Sequence, residues 1–569
     1  MILLQNKIQM RLLTIVGLIL VILPIVVYYD TVNTFAINIP VWDEYDQALL
    51  WIQIVTSTPF PENLLHLFNQ ANEHRIFSYF ATILAQYKIW GELNFRHIIL
   101  FGNLGMIGLL FVLYKLKHND RNSLLTFSPV VLLLFAPQQE ITNWGILTMN
   151  GVFEYLLVFL SLYFLDKKGK LNFVVAVLLA AMATFSFGNG LFVFFAGLTL
   201  LFLKQPRSFL HIFLWAFFMV GCISLYLVDY NPSISPYSKF EIFDQPISGL
   251  LYFMTLFGRL FSVLLNRNLI LYYVVGLAVI SFFCYLVLNN WKYHKKNPLA
   301  FAYLVFLLFS ALAITISRVG YGVEAATAPR YILLPILFVS VMYISCINIH
   351  QGINHRILVL TIMVSLILYG GRLLSNVHHM NVKKANLSFG LLSYYANPDS
   401  SKLNFPRPQV AAQRMKNAIS AGFYTPPTIS ELFPDIRLKT DLDVVAPSDN
   451  IHFCIDQIID NEMFVQLTGW AFMKEGSSNR QKTGIVLKSE SDVFLFSTVN
   501  IMRKDVPIHF SEVYPDIINH CGFLFVLEKA AHPIPSGRYQ VGIYVEEKGG
   551  MKSMRFTNQF VRLKSTSVD

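Results

Sequence analysis

The sequence predicts a polytopic α-helical membrane bundle followed by a small antiparallel β-sandwich domain. Of its 569 residues 55% are hydrophobic and only 14% are charged, and the mean hydropathy is +0.52, which is too apolar for an ordinary soluble protein. Apolar segments that can cross a bilayer recur as far as residue 372, and short alternating stretches follow from about residue 447. We therefore expect a multi-span domain over 1–379, a connector over 380–446 and an extracytoplasmic β-sandwich over 447–569.

The net charge of +10 does not indicate a nucleic-acid-binding protein. The Lys and Arg residues form short clusters between apolar runs, where such charges orient membrane spans. Three of the five cysteines lie inside apolar runs, and only Cys454 and Cys521 lie in the predicted soluble part. Their spacing matches no zinc motif, and one disulfide or two free thiols both stay open.

A bilayer core of roughly 30 Å requires about 20 mostly apolar residues per helix. The first predicted span, residues 12–28, follows Lys7 and Arg11 and lacks a small-residue cleavage site, so we expect a retained helix with a cytoplasmic N-terminus. About eleven spans result when this one is joined by 97–115, 122–137, 151–165, 171–187, 190–203, 208–228, 268–289, 299–316, 331–349 and 357–372.

Alternating these spans across the membrane places the clusters of Lys and Arg in the cytoplasm, so that every inner loop meets the positive-inside rule. The basic residues of these loops include Lys115, Lys117, Arg121, Lys167, Lys168, Lys170, Lys204, Arg207, Lys292, Lys295, Lys296 and Arg356. The threading requires 76–90 and 248–266, the latter with Arg259 at its middle, to lie at the membrane interface. An odd number of spans leaves the C-terminal third outside.

The same threading collects the loops rich in polar residues on the outer face. These loops are 42–46, 72–75, 138–144, 187–190 and 317–331. We therefore expect the chemistry of the bundle on that side of the membrane.

Two adjacent acids follow the first span and are the candidate catalytic residues. Asp43 and Glu44 stand beside Trp42 and Tyr45, whose rings suit the headgroup level. A carboxylate at this depth can act as a base toward an acceptor hydroxyl, because burial raises its pKa and the site can exclude water. A solvated loop acid is the alternative for both residues, and Asp46 is a third candidate.

The run from Glu73 to Arg75 combines an acid, a titratable ring and a permanent cation. It lacks the second His of a His-Glu-x-x-His zinc helix, so a metalloprotease is not indicated. Arg75 can bind a phosphate, or Glu73 can pair with a basic neighbour as plain structure, while Glu73 and His74 are candidate substrate contacts. In other outer loops Asn143 and Asn189 can hydrogen-bond a sugar, with helix capping as an equal alternative.

A loop of small residues between two spans is flanked by Arg318 and Arg330. Charges at span ends are costly unless they are used or paired. Arg makes bidentate contacts with phosphate oxygens, so the two residues can hold a lipid phosphate or diphosphate. Snorkelling to headgroups is the alternative. Glu324 and Tyr331 of the same loop are candidate substrate contacts.

The last third of the chain changes in pattern. A connector rich in proline is expected to hold one helix near 408–421. Stretches such as 465–468 and 539–545 then alternate with period two, which is typical of antiparallel strands. Trp470 is expected in the core of this domain, with a sugar-stacking surface as the alternative.

The layout resembles the GT-C class of membrane glycosyltransferases, which use polyprenyl-phosphate-linked sugars as donors. The resemblance lies in a first span followed by a long outer loop with the acidic motif Asp43-Glu44, many further helices and a soluble C-terminal domain. Other parts are similar to a bacterial group of GT-C-like membrane proteins and to small sandwiches attached to bacterial glycan enzymes. These parts are 72–75, 187–190, 318–331, the Gly-Trp-Ala stretch 469–471 and Arg503-Lys504-Asp505-Val506.

The resemblance implies inverting transfer of one sugar to an outer-face glycan, lipid or protein, in a bacterial inner membrane. It implies that Asp43 is the base, that Glu44 is its neighbour or substitute, and that Arg318 and Arg330, with Arg75, neutralise the departing phosphate. No DxD-type metal motif accompanies the acid, so no metal or other cofactor is assigned, and a divalent cation stays an alternative. The implied partners are the polyprenyl-phosphate-linked sugar donor, the acceptor and membrane lipid.

Two other functions compete with this one. A polymerase or ligase for lipid-linked glycans would share the bundle and the outer Arg residues but would depend less on Asp43. A transporter would need polar residues at mid-membrane and often two related halves, whereas the polar motifs here stand at span ends.

Overall fold

The computed structural model of the chain describes residues 2–117, 123–231, 241–265, 268–350, 353–439, 448–474, 481–501, 503, 505–510, 521–529, 534–547 and 550–563. Arg121, residues 440–446 of the predicted connector and Lys504 lie outside the described residues. The chain divides into two compact units, the first formed by Met1–Asn386 with Gln413–Thr425 and the second by Leu387–Ala412 with Pro426–Asp569. The division falls inside two helices, His355–Ala396 and Pro408–Ser420.

Long apolar helices form most of the first unit, because a backbone surrounded by lipid must satisfy its polar groups within its own helix. Among the described residues eight helices are long and apolar enough to cross a membrane, by length and composition. They are Arg11–Phe35, Phe95–Leu116, Gly145–Asp166, Phe209–Leu227, Leu269–Asn289, Pro298–Tyr321, Pro329–Ile349 and His355–Ala396. Shorter apolar helices are Leu124–Leu134, Lys170–Ser186, Gly188–Leu203 and Pro246–Phe261.

Each of the eight long helices coincides with a predicted span, which confirms a helical chain of membrane-protein character. The predicted spans at 122–137, 171–187 and 190–203 coincide with helices shorter than the others. The count of about eleven therefore stays a prediction. Arg259, expected at the interface, is only 8% exposed.

Short elements connect the long helices. The α-helical ones are Trp51–Ser57, Phe77–Trp90, Glu241–Asp244 and Trp291–Lys296. Two π-helical segments, Tyr45–Leu50 and Thr148–Val152, and the 3-10 segments Glu62–Phe68, Gly188–Leu191, Arg259–Phe261, Val319–Tyr321, Val323–Thr327 and Pro329–Tyr331 also occur. Strands Gln70–Ala71 and His74–Arg75 form a small antiparallel hairpin.

Large aromatic side chains fill the interior of the first unit, and two of the largest, Trp215 and Tyr303, donate hydrogen bonds to backbone carbonyls. Trp215 Nε1 donates to the carbonyl of Phe194 at 2.9 Å. The Tyr303 hydroxyl donates to the carbonyl of Phe159 at 2.9 Å, and the two rings stack with centroids 4.1 Å apart. This pairing removes the cost of burying an unsatisfied donor.

The second unit contains two antiparallel sheets. One has five strands in the spatial order Lys552–Leu563, Gly537–Glu547, Gln481–Lys488, Val493–Ser497 and Leu438–Lys439. The other has four strands in the order Ile451–Asp460, Phe464–Met473, Gly522–Glu528 and Val499–Ile501. Helices Ile429–Leu432 and Asp505–Phe510 and the 3-10 segment Pro398–Ser400 complete the unit, and Pro408–Ser420 is the helix predicted near 408–421.

One hydrophobic cluster takes side chains from both sheets, for example Leu467 and Phe525 from one and Ile485 and Val541 from the other. Trp470, expected in the core, is half-buried and packs against a separate small cluster of Phe472, Val506 and Cys521. Its ring stacks on Phe472 with centroids 5.7 Å apart and lies 5.5 Å from the Phe510 ring. All five cysteines are free thiols, with Cys454 exposed and Cys521 buried.

Candidate functional site

A cavity of about 360 Å³ opens in the first unit where five loops meet. Its walls come from 43–47, 71–76, 144–150, 187–189 and 314–331, which are far apart in sequence. The structure brings together most of the predicted site residues here, namely Asp43, Glu73, His74, Asn189, Arg318, Arg330 and Tyr331. Glu44, Arg75, Asn143 and Glu324 do not line it.

Asp43 enters the cavity because of the turn that carries it. Trp42 has a left-handed backbone, with φ of 51°, and the Asp43 carbonyl then accepts from the amides of Asp46 and Gln47 as a helix begins. Asn72, at the left-handed turn of the small hairpin with φ of 50°, donates its Nδ2 to Asp43 Oδ2 at 3.1 Å.

The surroundings of Asp43 act on the pKa of its carboxyl in opposite directions. Burial raises the pKa of its carboxyl, and the negative charge of Asp46 raises that pKa further. The hydrogen bond from Asn72 and the positive charge of Arg330 lower the same pKa. The acid of the first loop and a guanidinium of the 317–331 loop are therefore within electrostatic range of each other.

Glu44, one residue later, has its carboxylate fully engaged by the protein. Its Oε2 accepts from the Val41 amide at 2.9 Å, and its Oε1 accepts from the Ile146 amide at 3.0 Å and the Tyr79 hydroxyl at 3.3 Å. Burial raises the pKa of Glu44 to about 7, against the lowering effect of these hydrogen bonds. The residue links the segment after the first long helix to the helix that begins at Gly145.

Two arginines line the cavity and differ in their contacts. Arg318 Nη2 donates to Glu73 Oε2 at 2.6 Å, and its guanidinium lies 5.6 Å from the centroid of the Tyr321 ring. Arg330 lies 5.4 Å from the centroid of the ring of Tyr331. The cavity thus presents two guanidinium groups and two carboxylates. Glu73 is paired with Arg318, whereas Asp43 forms no ion pair among the described residues.

The other predicted site residues that do not line this cavity have contacts elsewhere in the first unit. The Arg75 guanidinium donates to the backbone carbonyls of Phe68, Tyr226 and Val228 and is 8% exposed. Asn143 Oδ1 accepts from Lys383 Nζ at 3.1 Å. Glu324 lines a separate cavity of about 710 Å³. These contacts favour structural roles for Arg75 and Asn143.

Trp144 and Asn150 are among the cavity residues that sequence reasoning did not assign to the site. Trp144 Nε1 and Asn150 Oδ1 are buried without a hydrogen-bond partner in the part of the chain that the structure describes. Asn150 lies in the π-helical segment Thr148–Val152, and such segments are frequent at functional sites. The available signal was that Asn150 directly precedes an apolar run. The predicted span began at residue 151 and so left Asn150 out.

Comparison with known proteins gives no family: no model of a protein family matches the chain, and no curated protein matches it. Among the described residues no three His, Cys, Asp or Glu side chains converge into a group that could hold a metal ion. The site must therefore be interpreted from its own geometry.

Proposed function

We propose that the chain is an inverting glycosyltransferase that moves a sugar from a polyprenyl-phosphate-linked donor to an acceptor on the outer face of a bacterial plasma membrane. The observation that carries this proposal is the shared cavity of Asp43, Arg318 and Arg330. The resemblance of the sequence layout to GT-C enzymes supports the same reaction.

In the proposed reaction the carboxylate and the guanidinium groups of the cavity have different roles. The acceptor hydroxyl oxygen attacks the anomeric carbon of the sugar, the bond from that carbon to the phosphate oxygen breaks, and the phosphate leaves with the electron pair. The proton of the acceptor hydroxyl passes to the carboxylate of Asp43. Arg318 and Arg330 stabilise the negative charge that develops on the departing phosphate.

The proposal extends to the topology. Eleven spans would place the polar loops and the second unit outside, and the two antiparallel sheets of that unit would form a sandwich around their common hydrophobic cluster. The acceptor is a surface glycan, a lipid or a protein.

The decisive experiment is mass spectrometry of surface glycans from cells that carry the wild-type gene, no gene, Asp43→Asn or Arg330→Ala. We expect one sugar to be missing without the gene, and each variant to reduce its transfer about 10²- to 10³-fold. Glu62→Gln, an exposed acid of the same outer region that does not line the cavity, serves as the matched control.

Two results would count against the proposal. Unchanged glycans in every strain would contradict the transferase function. Full activity of Asp43→Asn together with loss in Arg330→Ala would favour a polymerase or ligase of lipid-linked glycans, which depends on the guanidinium groups.

A further inference from the structure

A second cavity in the first unit, of about 710 Å³, contains two arginines for which the proposed transferase has no role. Arg259 lies at the end of the helix Pro246–Phe261, and Arg372 lies in the long helix His355–Ala396. Neither residue lines the cavity of Asp43.

Both arginines are buried, at 8% exposure for Arg259 and 3% for Arg372. Among the described residues each donates to one backbone carbonyl: Arg259 Nη1 to that of Ala328, and Arg372 Nη2 to that of Leu260. Arg259 Nε and Arg372 Nη1 are buried with no hydrogen-bond partner among the described residues. Two donors are thus left for a ligand.

The charges around this pair do not neutralise it. The two guanidinium groups lie close enough to repel each other. Glu140 attracts Arg259 from a distance, but the same carboxylate also acts on Arg330 and Lys383. Glu324 lines the cavity as well, yet within the described ranges no ion pair joins Glu140 or Glu324 to either arginine. Two buried cations of this kind require an anion.

An apolar cleft of about 990 Å³ is formed by the same helices next to this cavity. On the helix Leu269–Asn289, Leu269 and Tyr272 line the arginine cavity, and Val275 and Val279 line the cleft. These four positions are three or four residues apart, which is about one helical turn, so they lie along one face of the helix. On His355–Ala396, residues 371–379 line the cavity and residues 357 and 361 line the cleft.

We propose that Arg259 and Arg372 bind the phosphate of an anionic membrane lipid whose hydrocarbon chain lies in the apolar cleft. Guanidinium groups match phosphate oxygens with paired hydrogen bonds, and the cleft supplies an apolar surface that a free phosphate would leave unused. This inference does not depend on the transferase function.

Native mass spectrometry of the full-length protein in detergent tests the site, with dioleoylphosphatidylglycerol, dioleoylphosphatidylcholine and inorganic phosphate as probes. We expect tight binding of the phosphatidylglycerol, weaker binding of the zwitterionic lipid and no displacement by inorganic phosphate at equal concentration. Arg259→Gln with Arg372→Gln should weaken phosphatidylglycerol binding at least 10-fold. Arg318→Gln, which removes a cation from the other cavity, should not.

A second pair of variants keeps the test decisive if the double arginine variant fails to fold. Ala278→Phe places a ring in the cleft, whereas Leu277→Phe changes a lipid-facing position, 55% exposed, that does not line the cleft. We expect only Ala278→Phe to weaken lipid binding. Equal binding of both lipids, full displacement by inorganic phosphate, or unchanged binding in Ala278→Phe would each overturn the proposal. A variant that loses sugar transfer but still binds phosphatidylglycerol would be impaired at the transferase site alone.

Discussion

Two adjacent acids, Asp43 and Glu44, lie after the first long helix and have different surroundings. Asp43 faces a cavity, while Glu44 accepts hydrogen bonds from Val41, Ile146 and Tyr79. The sequence could locate the acidic pair but could not choose between its members. Successive residues of a helix point about 100° apart, and the groups that bind Glu44 lie up to 102 positions away in the chain.

The pH dependence of stability should reveal the burial of Glu44. Its pKa of about 7 in the folded protein lies above the value of about 4.3 expected in an unfolded chain. Between these values the folded state binds more protons, so the free energy of unfolding falls as the pH rises, by about 4 kcal/mol in all.

A thermal-shift comparison of wild type with Glu44→Gln tests this expectation. The Gln side chain cannot accept from both Val41 and Ile146, so the variant should melt lower at pH 5.5. The gap should narrow by pH 8, because only the wild type loses the proton-linked stability. A gap that stays constant or widens would contradict the assignment, and Glu62→Gln controls for an exposed acid.

The proposed base should have a pKa that two neighbours move in opposite directions. Asp46→Asn removes a negative charge that raises the pKa of Asp43, and Asn72→Gly removes a hydrogen bond that lowers it. Gly is chosen because position 72 has a positive φ. The acid limb of the transferase pH profile should therefore shift down in Asp46→Asn and up in Asn72→Gly, each by about half a pH unit. Shifts in the same direction would exclude Asp43 as the titrating base.

At the scale of elements, hydropathy located the long helices but not their ends. The helix predicted over 357–372 continues to Ala396, because no proline interrupts the chain before Pro398. Its polar half contacts the segment that precedes the helix at Gly145: Asn376 Nδ2 donates to the Pro137 carbonyl at 2.7 Å, and Lys383 Nζ donates to Asn143 Oδ1 at 3.1 Å. A span prediction detects runs of apolar residues. It therefore could not predict that the helix continues into the polar residues that follow residue 372.

Close helix packing around the second cavity depends on two glycines. A Cβ atom at Gly276 would lie 1.9 Å from the Met254 carbonyl oxygen, and one at Gly258 would lie 2.0 Å from the Tyr272 carbonyl oxygen. Small residues let helices in a membrane approach this closely. Gly276→Ala should therefore separate Pro246–Gly258 from Leu269–Asn289 and cost about 1–3 kcal/mol.

The melting temperature in detergent and the yield of folded protein measure this effect. Gly221→Ala is the matched control, because a Cβ there meets no atom within 4 Å in its helix and Ala favours helix. We expect a lower melting temperature for Gly276→Ala and an unchanged or slightly higher one for Gly221→Ala. Equal behaviour of the two variants would mean that the close approach is not needed.

At the scale of the molecule, the sequence anticipated that distant polar loops would meet. Alternating spans put the loops containing Asp43, Glu73, Asn189 and Arg318 on one side, and these four residues do line one cavity. The second cavity was not anticipated, because Arg259 and Arg372 stand within apolar segments, where a lone arginine is indistinguishable from one at the membrane interface. Only the packing of four helices brings them together.

The orientation of the whole chain can be tested with a natural thiol of the second unit. Cys454 is exposed on the strand Ile451–Asp460, whereas Cys222 and Cys521 are buried. Cys284 is exposed but lies within the apolar helix Leu269–Asn289, where lipid would shield it from a water-soluble reagent. Cys454 should therefore dominate labelling by a membrane-impermeant maleimide.

If the second unit lies outside, right-side-out membrane vesicles should incorporate about one label per chain before permeabilisation, and Cys454→Ser should abolish most of it. The proposed chemistry requires this result, because the proposed eleven spans would place the second unit and the Asp43 cavity on the same side of the membrane. Labelling that appears only after detergent is added would put the second unit in the cytosol. The odd span count and the outer-face acceptor would then both be wrong, even if the two cavities keep their geometry.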